Sequence, residues 1–135
     1  MATMSEPVDF AALARSSDRY PTEAFEFVGM GLRHAVKILG RETAPIETRH
    51  LDAGELVAGI IDLAVEQYGM FAGPVLHRLG LRGPEDIGRV TFILIDHQVF
   101  TRQPSDRFED FLVLPGFTEE LDTRIRRRLD QVHLS

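Results

Sequence analysis

The stretch that decides the fold runs from residue 83 to residue 96 and reads GPEDIGRVTFILID. Residues 90–95 alone would favour a strand, because β-branched and aromatic side chains predominate there. The start of the stretch favours a helix, since Pro84 suits the first helical position and Glu85 and Asp86 complement the positive end of a helix dipole. A run of about 14 residues without a break also exceeds a typical strand. We therefore predict a buried central helix over residues 84–97, with a strand at 90–95 as the alternative.

Helix start and stop signals divide the chain before this stretch into four further segments. The clearest signal is the pair Asp52 and Glu55, which has the spacing of a capping box. Proline at the openings and glycine at the ends mark most of the other boundaries. The predicted helices cover residues 9–16, 21–39, 53–68 and 74–79.

The chain after residue 97 contains a turn signal and a second amphipathic pattern. Gln103-Pro104-Ser105-Asp106 separates residues 99–102 from residues 108–114, which makes a small β-hairpin a candidate. Residues 117–135 then form a C-terminal helix, because Leu121, Ile125 and Leu129 recur at i, i+4 and i+8. A short helix, a turn, a longer helix and a hairpin follow one another in the order of a winged helix.

Together these patterns predict the fold class and the domain organisation. We expect a mainly α, single-domain bundle of five to six helices over residues 1–135, with a candidate small β-hairpin in winged-helix-like order. Residues 1–8 precede the first helix signal and are expected to be disordered. At 135 residues and 15.2 kDa, the chain is long enough to bury a real core without disulfides or metal.

Composition excludes several classes of protein. The absence of cysteine rules out a disulfide scaffold, a cysteine-ligated metal centre and a thiol nucleophile. A formal net charge of −6 argues against a nucleic-acid partner, since phosphate neutralisation supplies most of the affinity of such binders. No apolar run approaches the roughly 18 residues that a membrane helix needs, and no secretory signal is visible at the N-terminus. We therefore expect a cytoplasmic protein without a membrane span.

Glu85-Asp86-Ile87-Gly88 is the most specific of several short motifs that are spread over about residues 19–111. The other motifs are Arg19-Tyr20-Pro21, Ala24-Phe25, Phe27-Val28, Gly31-Leu32, His50-Leu51, Gly54-Glu55-Leu56, Ala64, Glu66-Gln67-Tyr68-Gly69, Val75-Leu76, Leu79-Gly80-Leu81, Val90, Phe92, Ser105-Asp106-Arg107 and Asp110-Phe111. Together these motifs resemble those of a small family of uncharacterised bacterial proteins associated mainly with planctomycetes and verrucomicrobia. The resemblance implies a helix at residues 84–97 and carries no activity.

The sequence contains no set of residues recognisable as a catalytic centre. The five histidines include no pair at the i, i+4 spacing of a helical metal site, and the chain has no G-x-S-x-G nucleophile motif. His77, Asp96 and His97 are retained as candidates for a metal site assembled by the tertiary fold, although surface or capping roles suit them better. We therefore assign no catalytic residue, no metal and no cofactor.

The C-terminal helix is the feature of the sequence that indicates a function, because an apolar stripe edged by arginine can pack on a partner. We predict a soluble, non-enzymatic protein–protein interaction or regulatory module, whose partner is another protein or a second copy of this chain. Two alternatives stay open: a winged-helix-type nucleic-acid-binding regulator, and a small enzyme or metal-binding protein that the motifs do not reveal. The predicted interaction residues are Leu121, Arg124, Ile125, Arg126, Arg127, Arg128 and Leu129.

Overall fold

The computed structural model describes residues 1–3, 8–45 and 48–134, and this part of the chain is mainly helical, as predicted. Two short strands, β1 (Ala2–Thr3) and β2 (Phe100–Thr101), accompany the helices. A 3₁₀ turn, Gly69–Phe71, joins the third and fourth helices. The helices are α1 (Phe10–Arg15), α2 (Thr22–Ile38), α3 (Ala53–Tyr68), α4 (Ala72–Arg78), α5 (Pro84–Asp96), α6 (Glu109–Leu112) and α7 (Phe117–Leu134).

The predicted helix boundaries are largely confirmed, because local capping chemistry sets them. Asp9 caps α1 by accepting a hydrogen bond from the Ala12 N–H at 3.0 Å. Asp52 and Glu55 form the capping box of α3, with N···O distances of 2.7 and 3.1 Å. After α4, Gly80 adopts a positive φ of 81° and ends the helix as expected. The start of α4 was misplaced, since the helix begins at Ala72 rather than after Gly73.

The prediction of a helix over residues 84–97 is confirmed by α5, but its central position is wrong. Helix α3 is the central element: it contacts α2, α4, α5, α6 and α7, and its apolar side chains are nearly all buried. In α5, Phe92, Ile93 and Ile95 are only half-buried at one side of the bundle. The apolar residues on the different sides of α5 therefore contribute to a layer at the periphery of the bundle as well as to the core.

Helices α2 and α3 approach closely because each has a glycine at their contact. A Cβ atom on Gly31 would overlap the side chain of Ile60, and one on Gly59 would overlap Ala35. The Gly59 position also faces backbone, since its Cβ would lie 3.0 Å from Ala35 Cα and 3.1 Å from the Gly31 carbonyl oxygen. Close helix approach therefore explains these two glycines.

The predicted hairpin is wrong. The turn at residues 103–106 forms, with the Asp106 carboxylate accepting from the Gln103 N–H at 2.8 Å, but the chain beyond it folds into α6 instead of a strand. Phe108 and Phe111 are three residues apart and therefore share one side of a helical turn, where both rings pack edge-on against Phe92. The described part of the chain thus has no wing after α5.

Strand β2 pairs instead with β1, in a segment that was expected to be disordered. The two strands are antiparallel, with Ala2 opposite Thr101 and Thr3 opposite Phe100. The Met1 side chain is 1% exposed, and the Met1 amino group lies 3.0 Å from an Asp106 carboxylate oxygen. The expectation of disorder over residues 1–8 is therefore wrong for residues 1–3 and for Val8, which packs against the core, whereas residues 4–7 lie outside the described part of the chain.

Among the described residues, one helical stretch, Ala53–Arg78, is long and apolar enough to cross a membrane by length and composition alone. It comprises α3, the 3₁₀ turn and α4, and half of its most apolar window is buried inside the protein. The core helix of a soluble protein has the same composition, and α3 occupies such a position here. The expected absence of a membrane span stays a prediction.

Candidate functional site

The predicted interaction surface on α7 is divided between the protein core and its exterior. Helix α7 packs against α3 and α4. Leu121 is 7% exposed and belongs to the core, and Ile125 is half-buried beside it. Leu129, by contrast, is 52% exposed. The prediction that Leu121 faces a partner therefore fails, because this side chain already fills a place within its own chain.

The four arginines of α7 also fall into two groups. Arg124 is held in place by two carboxylates: its Nη1 donates to Asp62 Oδ1 and its Nε donates to Glu120 Oε1, both at 2.6 Å. Arg126, Arg127 and Arg128 are exposed, and no ion pair to them occurs within the described ranges. Arg124 therefore has a structural role, whereas Arg126, Arg127 and Arg128 present guanidinium groups that pair with no carboxylate of the described residues.

An open cleft of about 310 Å³ lies between α3 and α7. One wall comes from α3 and carries carboxylates, and the other comes from α7 and carries guanidinium groups. The ion pair between Asp62 and Arg124 joins the two walls. The lining residues are Asp62, Val65, Glu66, Arg124, Arg127, Arg128 and Gln131.

A histidine from α2 completes a polar cluster at the α3 wall. Asp62 and Glu66 are four residues apart on α3 and so share one helix face. The His34 Nε2 atom lies 2.7 Å from Asp62 Oδ2 and 3.6 Å from Glu66 Oε2. We call His34, Asp62 and Glu66 the His34 cluster. Across the described residues it is the one group of three or more metal-ligating side chains that the fold brings together.

Sequence reasoning missed the His34 cluster because its members come from two helices. The i, i+4 spacing of Asp62 and Glu66 is a visible signal on α3, but no spacing along the chain connects that pair to His34. The structure does not bring together the earlier candidates. His77 is exposed in the last turn of α4, while Asp96 and His97 are exposed at the end of α5.

A second cleft, of about 220 Å³, lies where the N-terminal segment meets the start of α3. Its charged groups are mostly paired with one another. Arg41 donates to Glu55 at 2.8 Å and to the His50 carbonyl at 3.1 Å. Burial alone would raise the pKa of the Glu55 carboxyl, but hydrogen bonds from Arg41 and the Asp52 N–H hold that pKa below its usual value. These pairs join separate segments of the chain, so the second cleft has a structural role.

His50 makes this second cleft sensitive to acid. Its Nδ1 is buried without a hydrogen-bond partner in the described part of the chain. Burial lowers the pKa of the imidazole below its ordinary value of 6.5, and the Met1 amino group acts in the same direction against the opposing effect of Asp106. As the pH falls from about 6.5 toward the folded-state pKa, this imidazole therefore binds more protons in the unfolded chain than in the folded chain.

We expect the free energy of unfolding to decrease as the pH falls from about 7 through the folded-state pKa of His50. The substitution His50→Asn should flatten this dependence, because it removes the group that must gain a proton. Urea unfolding followed by circular dichroism at several pH values measures the effect. His77→Asn, at an exposed position, should retain the wild-type slope. An unchanged slope in His50→Asn would contradict the prediction.

Comparison with family models, with curated proteins and with solved structures gives no match. The resemblance to the bacterial family associated with planctomycetes and verrucomicrobia therefore stays a prediction from its motifs. The features that bear on function are those of the fold itself: a helical bundle with three exposed arginines, a cleft of mixed charge and the His34 cluster.

Proposed function

We propose that this chain is a non-enzymatic interaction module that binds an acidic segment of a partner protein along the outer face of α7. The observation that carries the proposal is the run Arg126, Arg127 and Arg128, all exposed and outside any ion pair within the described residues. A guanidinium group can form two parallel hydrogen bonds with one carboxylate. Three consecutive helical positions spread these groups over about 200° of the helix surface.

The surroundings of the arginines favour a protein partner. Arg127 and Arg128 line the α7 side of the cleft, so an acidic segment that lies along α7 can reach both of them opposite the carboxylates of the α3 wall. Leu129 leaves about half of its side chain exposed beside them, so an apolar residue of the partner would also find a contact. A surface that combines free cations with exposed apolar area is typical of protein recognition.

Charge distinguishes this proposal from the nucleic-acid alternative. A protein that binds duplex DNA typically neutralises about 6–10 phosphates, and the three free arginines fall well short of that number. The net charge of −6 opposes a polyanion that extends beyond the arginine surface. A short acidic segment avoids this repulsion, because charges more than about 8 Å away are screened at physiological salt.

The proposal is tested with a fluorescein-labelled peptide of glutamates and a single leucine, by fluorescence anisotropy at rising salt. We expect the triple variant R126Q/R127Q/R128Q to bind at least tenfold more weakly than wild type, which corresponds to about 1.4 kcal/mol. The matched control is R33Q/R78Q/R82Q, which removes the same total charge from exposed positions elsewhere. It should bind within about twofold of wild type, a difference well under 1 kcal/mol.

Three outcomes would overturn the proposal. The first is no peptide binding by wild type at about 50 mM salt, where electrostatic attraction is strong. The second is an equal loss in the test and control variants, which would mean that only net charge matters. The third is tighter binding of a labelled DNA duplex than of the peptide, which would favour the nucleic-acid-binding regulator instead.

A further inference from the structure

We propose that His34, Asp62 and Glu66 form a binding site for a divalent first-row transition-metal ion of the Zn²⁺ class. This inference does not rest on the proposed function, because the arginines that would bind an acidic segment supply no metal ligand, although Asp62 and Glu66 line the same cleft as Arg127 and Arg128. The donor set is one imidazole nitrogen and two carboxylate oxygens, which suits Zn²⁺ and similar ions. These three side chains leave further coordination positions for water or a ligand.

The spacing of the donor atoms fits an ion at their centre. Bonds of about 2.0–2.2 Å to nitrogen and oxygen place neighbouring ligand atoms about 3.0–3.5 Å apart in octahedral or tetrahedral geometry. The distances from His34 Nε2 to the Asp62 and Glu66 oxygens, 2.7 and 3.6 Å, lie on either side of that range. All three donor atoms lie within 4.8 Å of one another. Small side-chain adjustments would therefore bring them around one ion.

The residues around the cluster hold the aspartate in a ligating orientation. Arg124 binds Asp62 Oδ1 at 2.6 Å, which leaves Oδ2 directed toward His34. Glu120 binds the Nε of the same guanidinium at 2.6 Å and so fixes Arg124 in turn. Partners of this kind, bound to the ligands rather than to the ion, orient metal-binding side chains in many proteins. The positive charge of Arg124 also limits repulsion between the two carboxylates.

The His34 cluster is largely buried at His34 and exposed to solvent at Glu66. The His34 side chain is 13% exposed, which restricts the imidazole to the contact between α2 and α3. Glu66 is 58% exposed, so an ion can reach the cluster from solvent past this residue. Glu66 makes only the 3.6 Å contact with His34 among the described groups, which leaves its carboxylate free to move onto an ion.

A proton on His34 competes with a metal for the same position, because it would also hold the three side chains together. The two occupants are distinguished by equilibrium dialysis against ZnCl₂ at neutral pH, after treatment with a chelator, followed by metal analysis of the protein. We expect wild type to retain one Zn²⁺ per chain. His34→Gln and Glu66→Gln should each weaken Zn²⁺ binding at least tenfold, since each removes a ligand.

Glu66→Gln guards against a folding artefact, because this exposed side chain makes no hydrogen bond shorter than its 3.6 Å contact with His34 among the described residues. Circular dichroism should therefore show an unchanged helical fold. His77→Gln and His97→Gln are matched controls, since both remove an exposed histidine elsewhere and should bind Zn²⁺ like wild type. Absence of retained Zn²⁺ in wild type would overturn the proposal. It would equally be overturned if Glu66→Gln bound Zn²⁺ as wild type does, or if a control variant lost the ion.

Discussion

Phe111→Ala is expected to lower the free energy of unfolding by about 3–5 kcal/mol, the range for removing a fully buried aromatic side chain. Phe111 is 1% exposed, and its ring packs edge-on against Phe92 with centroids 6.4 Å apart. It also fills the space that Gly88 leaves on α5, where a Cβ atom would lie 2.8 Å from the Phe111 ring. Because the neighbouring backbone on α5 is fixed by its own helix, the resulting cavity cannot collapse fully. Denaturant unfolding at neutral pH measures the loss.

Val113→Ala is the matched control for this substitution. Val113 lies two residues further along and is 82% exposed, so its truncation should change stability by less than about 0.5 kcal/mol. A loss of under about 1 kcal/mol in Phe111→Ala, where core truncation should cost 3–5 kcal/mol, would show that residues 108–114 do not pack on α5.

Gly59→Ala is expected to destabilise the protein by about 2–3 kcal/mol, through overpacking at the contact of α2 with α3. Alanine favours a helix over glycine by about 1 kcal/mol, so propensity alone predicts the opposite sign. Sterics should outweigh propensity here, because the new methyl group would meet the Ala35 backbone at 3.0 Å and the Gly31 carbonyl at 3.1 Å. The two helices would have to separate to admit it. The measurement is again denaturant unfolding.

Gly29→Ala tests the same substitution in the same helix pair without the steric conflict. Its Cβ would lie 3.8 Å from the Phe10 ring, which is an ordinary van der Waals contact. We therefore expect no loss and a gain of up to about 1 kcal/mol from helix propensity. If Gly59→Ala were also neutral or stabilising, the close approach of α2 and α3 would be contradicted.

Features governed by neighbouring residues were predictable from the sequence. The capping box of α3 and the glycine after α4 depend on chemistry within a few residues, and both were placed correctly. The pairing of β1 with β2 was not predictable, since it joins Ala2 to Thr101 and no local pattern records such a contact. The turn at residues 103–106 was also found, but its sequence does not reveal whether a strand or a helix follows.

The candidate site was only partly predictable, because its contacts also join residues that are distant in the sequence. The position of Arg124 on the helix distinguishes it from the other arginines of α7. Arg124 lies three residues after the buried Leu121 and is therefore close to the core face. The contact of His34 with Asp62 depends on the position of α2 along α3. That position is set when the two helices pack at their glycines, and no local pattern in the sequence records it.

The glycine contact also supplies a way to recognise other sequences with this architecture. A chain that brings two helices together in this manner needs a very small residue at the positions of Gly31 and Gly59. The histidine follows the first of these by three residues, and Asp62 follows the second by three, with Glu66 four further on. The paired spacings G-x-x-H and G-x-x-D-x-x-x-E therefore contain both the small residues that the helix contact requires and the three side chains of the His34 cluster. A sequence search can test for the two features together.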